Sequence, residues 1–145
     1  MTEKVSFDTV EPGTQLPSIE RPVTQEAMWK YAVASLDYNT VHVHPEWCKT
    51  AQVFGLESTV GHGQMTMSFL GSVLSDWAYP VGGWIKKMDC KFIKPVLPGD
   101  KITCGGVVTE KHPIGQGKDF VVVSIYAANQ KGEMVAVGEA EVTLP

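Results

Sequence analysis

Cysteine is scarce: the 145-residue chain has Cys48, Cys90 and Cys104, and no two of them form a Cys-x-x-Cys pair. That odd number suits a reducing compartment, in which a buried thiol acts as a small hydrophobe and no disulfide framework is needed. Long apolar runs are missing too. No window reaches the ~18 residues a membrane span requires, and the opening MTEKVSFDTVEPG has no apolar signal core. A cytoplasmic location with no membrane partner is therefore expected. Nor is there a surplus of positive charge. The net charge is -4 at pH 7, whereas proteins that grip nucleic acid non-specifically carry a basic face to neutralise phosphates, so no nucleic-acid partner is expected.

Some catalytic signatures are absent as well. There is no Gly-x-Ser-x-Gly, and Cys48 falls within an expected amphipathic helix, so a serine or cysteine nucleophile is a poor reading. GQGK at 115–118 lacks the strand before it and the helix after it that a phosphate cradle needs, and reads as a hairpin loop.

What is present is an ordinary globular composition, 43% hydrophobic and 19% charged. One domain over residues 1–145 is expected, large enough to bury roughly two-thirds of its unfolded surface. VTQEAMWKYAVAS reads as a helix with Thr24 as N-cap and Glu26 in the first turn. Asn39, Thr40 and the residue before Pro45 disfavour continued helix, so LDYNTVHVH is expected to be a loop. Pro45 then opens a short second helix through PEWCKTAQVF, with Gly55 past its end.

Residues Gln64 to Trp77 are apolar on most sides, with one charge at Asp76, which predicts a buried helix. Its Gly71 is expected where a sheet backbone comes close. Beyond YPVGG the period changes to two. WIKKMDCKFI places Trp84, Met88, Cys90 and Phe92 on one side and Lys87, Asp89 and Lys91 on the other. KITCGGVVTEKH, DFVVVSIYAAN and MVAVGEAEVTL continue as a meander, the last two joined by the turn QKGE. The four tryptophans, at 29, 47, 77 and 84, read as core. A sheet with one apolar face needs a covering layer. The prediction is an α+β domain, a curled antiparallel sheet wrapped around one central apolar helix.

Two fragments carry the chemistry. In DYNTVHVH, Asp37, Asn39 and His42 form either an acid/base group, since imidazole and carboxylate can both be tuned toward working pH, or an Asx-turn with a helix N-cap. His42 and His44 also make His-x-His, with His62 as a possible third zinc ligand. The segment is too short for a firm strand and no metal is expected. In GHGQM, the amides of Gly63 and Gln64 at the start of the buried helix could hold a developing oxyanion, or the glycines could simply allow tight packing.

SLDYNTVHVHPEWCKTAQVFGLESTVGHGQMTM resembles the signature of the MaoC-like (R)-specific enoyl-CoA hydratases and 3-hydroxyacyl thioester dehydratases, close to S-G-D-x-N-P-x-H followed by H-G-M, and KFIKPVLPGDKI is similar to the family's strand and turn after the central helix. The resemblance implies a hot-dog fold and interconversion of trans-2-enoyl and (R)-3-hydroxyacyl thioesters of CoA or acyl carrier protein. It makes Asp37 and His42 the catalytic pair, Asn39 the supporting amide and Gly63 the donor to the thioester oxygen; the chemistry of hydration gives water activation mainly to His42 with Asn39 orienting and proton delivery to Asp37, or else one water shared by both side chains. No cofactor is implied, and a homodimer is expected, a heteromer being the variant. The sequence departs from the pattern at Leu36, where the family often has Gly, at Thr40 for Pro, at His44 for an acidic residue, and at Gln64, interposed before Met65. A hot-dog thioesterase would normally use one carboxylate without the trio. A non-catalytic subunit of a heteromeric dehydratase would tend to lack the catalytic pair.

Overall fold

The computed structural model describes residues 5–145; the first four residues of the opening stretch lie outside them. One antiparallel sheet has the order β1-β3-β4-β5-β2, built from β1 (Ile19–Pro22), β2 (Trp84–Phe92), β3 (Lys101–His112), β4 (Phe120–Ala128) and β5 (Met134–Thr143). Helix α1 (Gln25–Ser35), the single turn α2 (Thr40–Val43) and α3 (Pro45–Ala51) precede α4 (Gly63–Ala78), which lies across β2, β3, β4 and β5. Leu70, Val73 and Leu74 of α4 are buried against Val108, Val121, Val123, Ile125 and Val142. Each fully buried leucine contributes about 1.5–3 kcal/mol relative to exposure. This is the expected curled sheet around a central helix.

Thr24 caps α1, accepting from the Ala27 amide at 3.0 Å. The alternation in β3 to β5 puts Val121, Val123, Ile125 and Ala127 toward α4. Other expectations need correction. LDYNTVHVH is not all loop, because Asn39 caps a helical turn rather than ending one, its Oδ1 accepting from Val41 N at 3.3 Å. Helix α3 stops at Ala51, where Gln52 turns left-handed at φ 44°. Gly71 faces only the end of the Met88 side chain, not sheet backbone. A bulge between Ile85 and Lys87 shifts the β2 register, so Ile85, not Trp84, joins Met88 and Cys90 on the helix side. Of the tryptophans only Trp77 is core; Trp29, Trp47 and Trp84 are 47%, 40% and 64% exposed.

Strand β1 was not foreseen, nor was the place of β2. Strand β2 pairs with β5 at the far edge instead of with β3. Pro95 and Pro98 cannot donate to a ladder, and the segment between β2 and β3 spends its backbone bonds elsewhere. Ile93 N donates to Val135 O at 2.8 Å, and Val96 O accepts from Gly61 N at 2.7 Å. That detour carries Val96 to the start of α4.

Candidate active site

Helix α1 ends at Leu36 in the left-handed region, φ 59° and ψ 25°, a conformation that costs a residue with a Cβ roughly 1–2 kcal/mol. The chain reverses there and delivers Asp37, whose Oδ1 accepts from Asn39 N at 3.3 Å. The cap on α2 follows, and His42 N donates to Asn39 O at 2.9 Å. The Asx-turn and N-cap reading is what the backbone shows, and that backbone brings the carboxylate and the imidazole to the same side. Asn39 spends its side-chain oxygen on the cap, and its contact with His42 is through its backbone carbonyl.

Thr40 is the first helical residue after this cap, and Asn39 has φ -54° and ψ 129°, which a following proline accepts. Proline at that position loses no helical hydrogen bond. Thr40→Pro is expected to raise unfolding free energy by about 0.4–1 kcal/mol in chemical denaturation. A loss of stability would show that the Thr40 amide or hydroxyl has a partner that matters.

The His42 backbone is fixed from two sides, Gln25 Nε2 donating to its carbonyl at 2.9 Å and Val60 N donating to Val41 O at 3.0 Å. Its Nδ1 lies 2.6 Å from Val60 O. A carbonyl only accepts, so Nδ1 carries a proton, and in the neutral ring Nε2 is the nitrogen with the lone pair. That Nε2 is 4.0 Å from Asp37 Oδ2, too far for a direct hydrogen bond and spaced for one bridging water. The Asp37 side chain is 47% exposed and that of His42 14%, so the pair joins solvent to the interior.

His62 closes the group from behind. It is buried, its Nε2–H donates to the Asp37 backbone carbonyl at 3.1 Å, and its ring stacks on His42 with centroids 4.0 Å apart and planes 26° from parallel. Tyr31 also packs against it, with ring centroids 4.9 Å apart and planes tilted by 55°. Burial holds its pKa below the usual histidine range, the bond to the Asp37 carbonyl opposing this, so the ring is neutral near pH 7. The unfolded chain therefore binds a proton below about pH 6.5 that the folded chain does not. Stability from this residue is complete above that pH and falls as pH drops through it. Melting temperature is expected to decline between about pH 7 and 5, and less steeply in His62→Gln; equal slopes would count against this origin.

Gly63 and Gln64 begin α4, and first-turn amides have no intrahelical acceptor. Gly63 lines a cavity of about 400 Å³ together with His42, Thr66, Phe92, Val96 and Val135, mostly apolar and of small-ligand size. A Cβ on Gly63 would stand 3.2 Å from the Phe92 ring, and one on Gly61 3.4 Å from Val96. The glycines thus permit close packing and also leave a donor at the cavity wall. Thr66, buried one turn into α4, and Gln25 were missed from sequence. The signal for Thr66 was a polar residue in an apolar helix.

His44 takes no part. Its Nδ1 accepts from Trp47 N at 3.1 Å as the cap of α3, and residues two apart on a helical turn do not face one another, so the His-x-His reading fails. Asp37, His42 and His62 do offer ligand atoms within 4.8 Å of one another. Nearly parallel imidazoles aim their in-plane lone pairs side by side rather than at one point, which suits an ion poorly. Hydration is expected to survive exhaustive chelation; abolition reversed by zinc alone would restore the metal reading.

Against known proteins, the family model described as MaoC like domain matches residues 7–130. An (R)-specific enoyl-CoA hydratase of Rhodospirillum rubrum is 28% identical over 139 residues, covering 96% of this chain and 91% of that protein. The R-hydratase PhaJ1 from Pseudomonas aeruginosa superposes with a TM-score of 0.86 at 24% identity, covering 98% of this chain and 86% of that one. The ChsH1-ChsH2 complex from Mycobacterium tuberculosis contains a chain with a TM-score of 0.78 at 21% identity, covering 93% of this chain and 98% of its own. These likenesses identify the curled sheet and helix as a hot-dog fold, and with most of its length inside the family model the chain belongs to the MaoC-like domain family.

Proposed function

We propose that this protein is a hydratase or dehydratase interconverting trans-2-enoyl and (R)-3-hydroxyacyl thioesters of CoA or acyl carrier protein, with Asp37 and His42 as its acid/base pair. The observation that carries the reading is the 4.0 Å gap between Asp37 Oδ2 and His42 Nε2 beside an apolar cavity walled by Gly63. A water in that gap gives a proton to Nε2 as its oxygen bonds to the β-carbon. The electron pair of the double bond moves toward the thioester carbonyl, whose oxygen becomes negative and is held by the Gly63 amide. His42 passes the water's proton across the gap to the Asp37 carboxylate, and the carboxyl so formed gives it to the α-carbon, which returns both groups to their starting states. Nδ1–H···O=C to Val60 holds the imidazole in the tautomer this sequence needs. Dehydration is the reverse.

The whole chain acts as one domain in the cytoplasm, in keeping with Cys48, Cys90 and Cys104 all remaining free thiols. A homodimer suits the architecture, because β2 is an edge strand nine residues long and such edges pair; the heteromeric neighbour from Mycobacterium tuberculosis keeps a partner subunit as the alternative. The test is a panel of enoyl-CoAs of increasing chain length, with hydration, product configuration and free thiol all followed. Hydration to the (R)-alcohol is the expected result. Thiol release without hydration would mean a thioesterase, and an inert protein would mean a partner subunit.

A further inference from the structure

His62 is the one buried residue, among those described, whose side chain leaves a polar atom without a partner: Nδ1 has no hydrogen bond, while Nε2–H is committed to the Asp37 carbonyl at 3.1 Å. Keeping a half-satisfied imidazole in the core is unfavourable for stability, and an aliphatic side chain would pack there without it. What the imidazole contributes is contact with both halves of the acid/base pair. One edge ties the backbone of Asp37, and one face lies on the ring of His42 at 4.0 Å. Asn39 also bonds to both, but through its backbone; among the described hydrogen bonds and ring contacts no other side chain touches both. His62 also immediately precedes Gly63, so the same residue sets where the thioester donor begins.

We infer that His62 is a positioning residue of the reaction, a neutral imidazole with its proton on Nε2 that holds the Asp37 backbone and the His42 ring so that their reactive atoms stay one water apart. This rests on the proposed hydration at Asp37 and His42. The titratable groups facing His62 are His42 from α2, Asp37 from the α1–α2 loop and Tyr31 from α1. The neutral state is required by the geometry. A second proton would have to sit on Nδ1, which has no acceptor, and would place a positive charge against the His42 ring just as that ring takes its own proton. The stacking also shields one face of His42 from water, leaving its Nε2 edge as the open side.

Two substitutions separate the contributions. His62→Phe keeps a ring against His42 but loses the donor to Asp37; His62→Gln keeps an amide donor but loses the ring. Misplacement of a reacting group by about 1 Å can cost ~10²-fold, so folded His62→Phe should lower kcat by about 10- to 100-fold with KM changed by less than about threefold, and His62→Gln should recover part of the loss. The decisive comparison is on the Asp37→Asn background. If His62 acts by placing Asp37, His62→Phe should cost almost nothing further there, because groups acting as a unit are non-additive. A merely structural residue would instead take the same toll with or without Asp37. Wild-type kcat in folded His62→Phe, or full additivity with Asp37→Asn, would overturn the inference. Should Asp37→Asn and His42→Ala themselves hydrate normally, the site assignment fails instead, and the two failures are told apart. Nitrogen NMR of the wild type supplies an independent readout, with His62 expected to be neutral and protonated on Nε2 near pH 7. A His62 protonated on Nδ1 would also overturn it.

Discussion

Asp37→Asn and His42→Ala should each lower kcat for enoyl-thioester hydration by about 10²- to 10⁴-fold, the usual contribution of a positioned acid or base. Asp37→Asn leaves the shape of the loop, since an amide oxygen can still accept from Asn39 N, the 3.3 Å bond that closes the turn. It removes the proton that the carboxyl gives to the α-carbon. His42→Ala removes Nε2 and with it the lone pair that receives the proton of water. Both groups serve one proton circuit, so the double variant should be little worse than the poorer single one. His44→Ala is the control within the same segment, because His44 caps α3 and stands apart from the pair. Its expected effect is on stability, ~1 kcal/mol for a lost cap, with kcat nearly unchanged. Circular dichroism and assembly size establish that each variant is folded. Near-normal turnover in folded Asp37→Asn or His42→Ala would remove those residues from the mechanism.

The second large effect is expected far from the chemistry, at Gly138 on β5. Gly138 pairs with Cys90 of β2 and with Ile125 of β4. A Cβ there would collide with the Asp89 carbonyl oxygen and stand 3.0 Å from the Cys90 Cα, and backbone cannot swing aside as a side chain can. Gly138→Ala should therefore cost about 3 kcal/mol, the upper end for overpacking, and push β2 away from β5. Since β2 ends at Phe92 in the cavity wall and offers the free edge of the sheet, activity and assembly should suffer together. Gly105→Ala is the contrast. Its new Cβ would meet the Tyr126 side chain at 2.7 Å, which can rotate away, so a clearly smaller loss is expected in the same denaturation series. Equal costs at both positions would contradict the reading of β2 and β5 as a close backbone contact.

Some of this was open to inspection of the sequence and some was not, for reasons that differ by element. The long periodic segments α1, α4, β3, β4 and β5 were readable because periodicity needs only neighbours along the chain. Four-residue β1, which contains Pro22, and the single turn α2 are too short to show a period. The position of β2 beyond β5 depends on where Val96 and Ile93 send their backbone bonds, a matter of tertiary contacts. At the site, Asp37 and His42 could be singled out because they sit five residues apart in one short segment. The part played by His62 could not, since its contact with Asp37 spans 25 positions. The type of Asn39 suits a cap as well as a supporting amide, and the cap is what its side-chain oxygen makes.

The central claim is that water is added to the double bond and that the thioester is left intact. Incubating the wild-type protein with a short trans-2-enoyl-CoA in water enriched in heavy oxygen tests this directly, with mass spectrometry locating the label. The account predicts one heavy oxygen on the β-carbon of an intact (R)-3-hydroxyacyl-CoA. Label found instead on a free carboxylate, accompanied by released CoA, would contradict it.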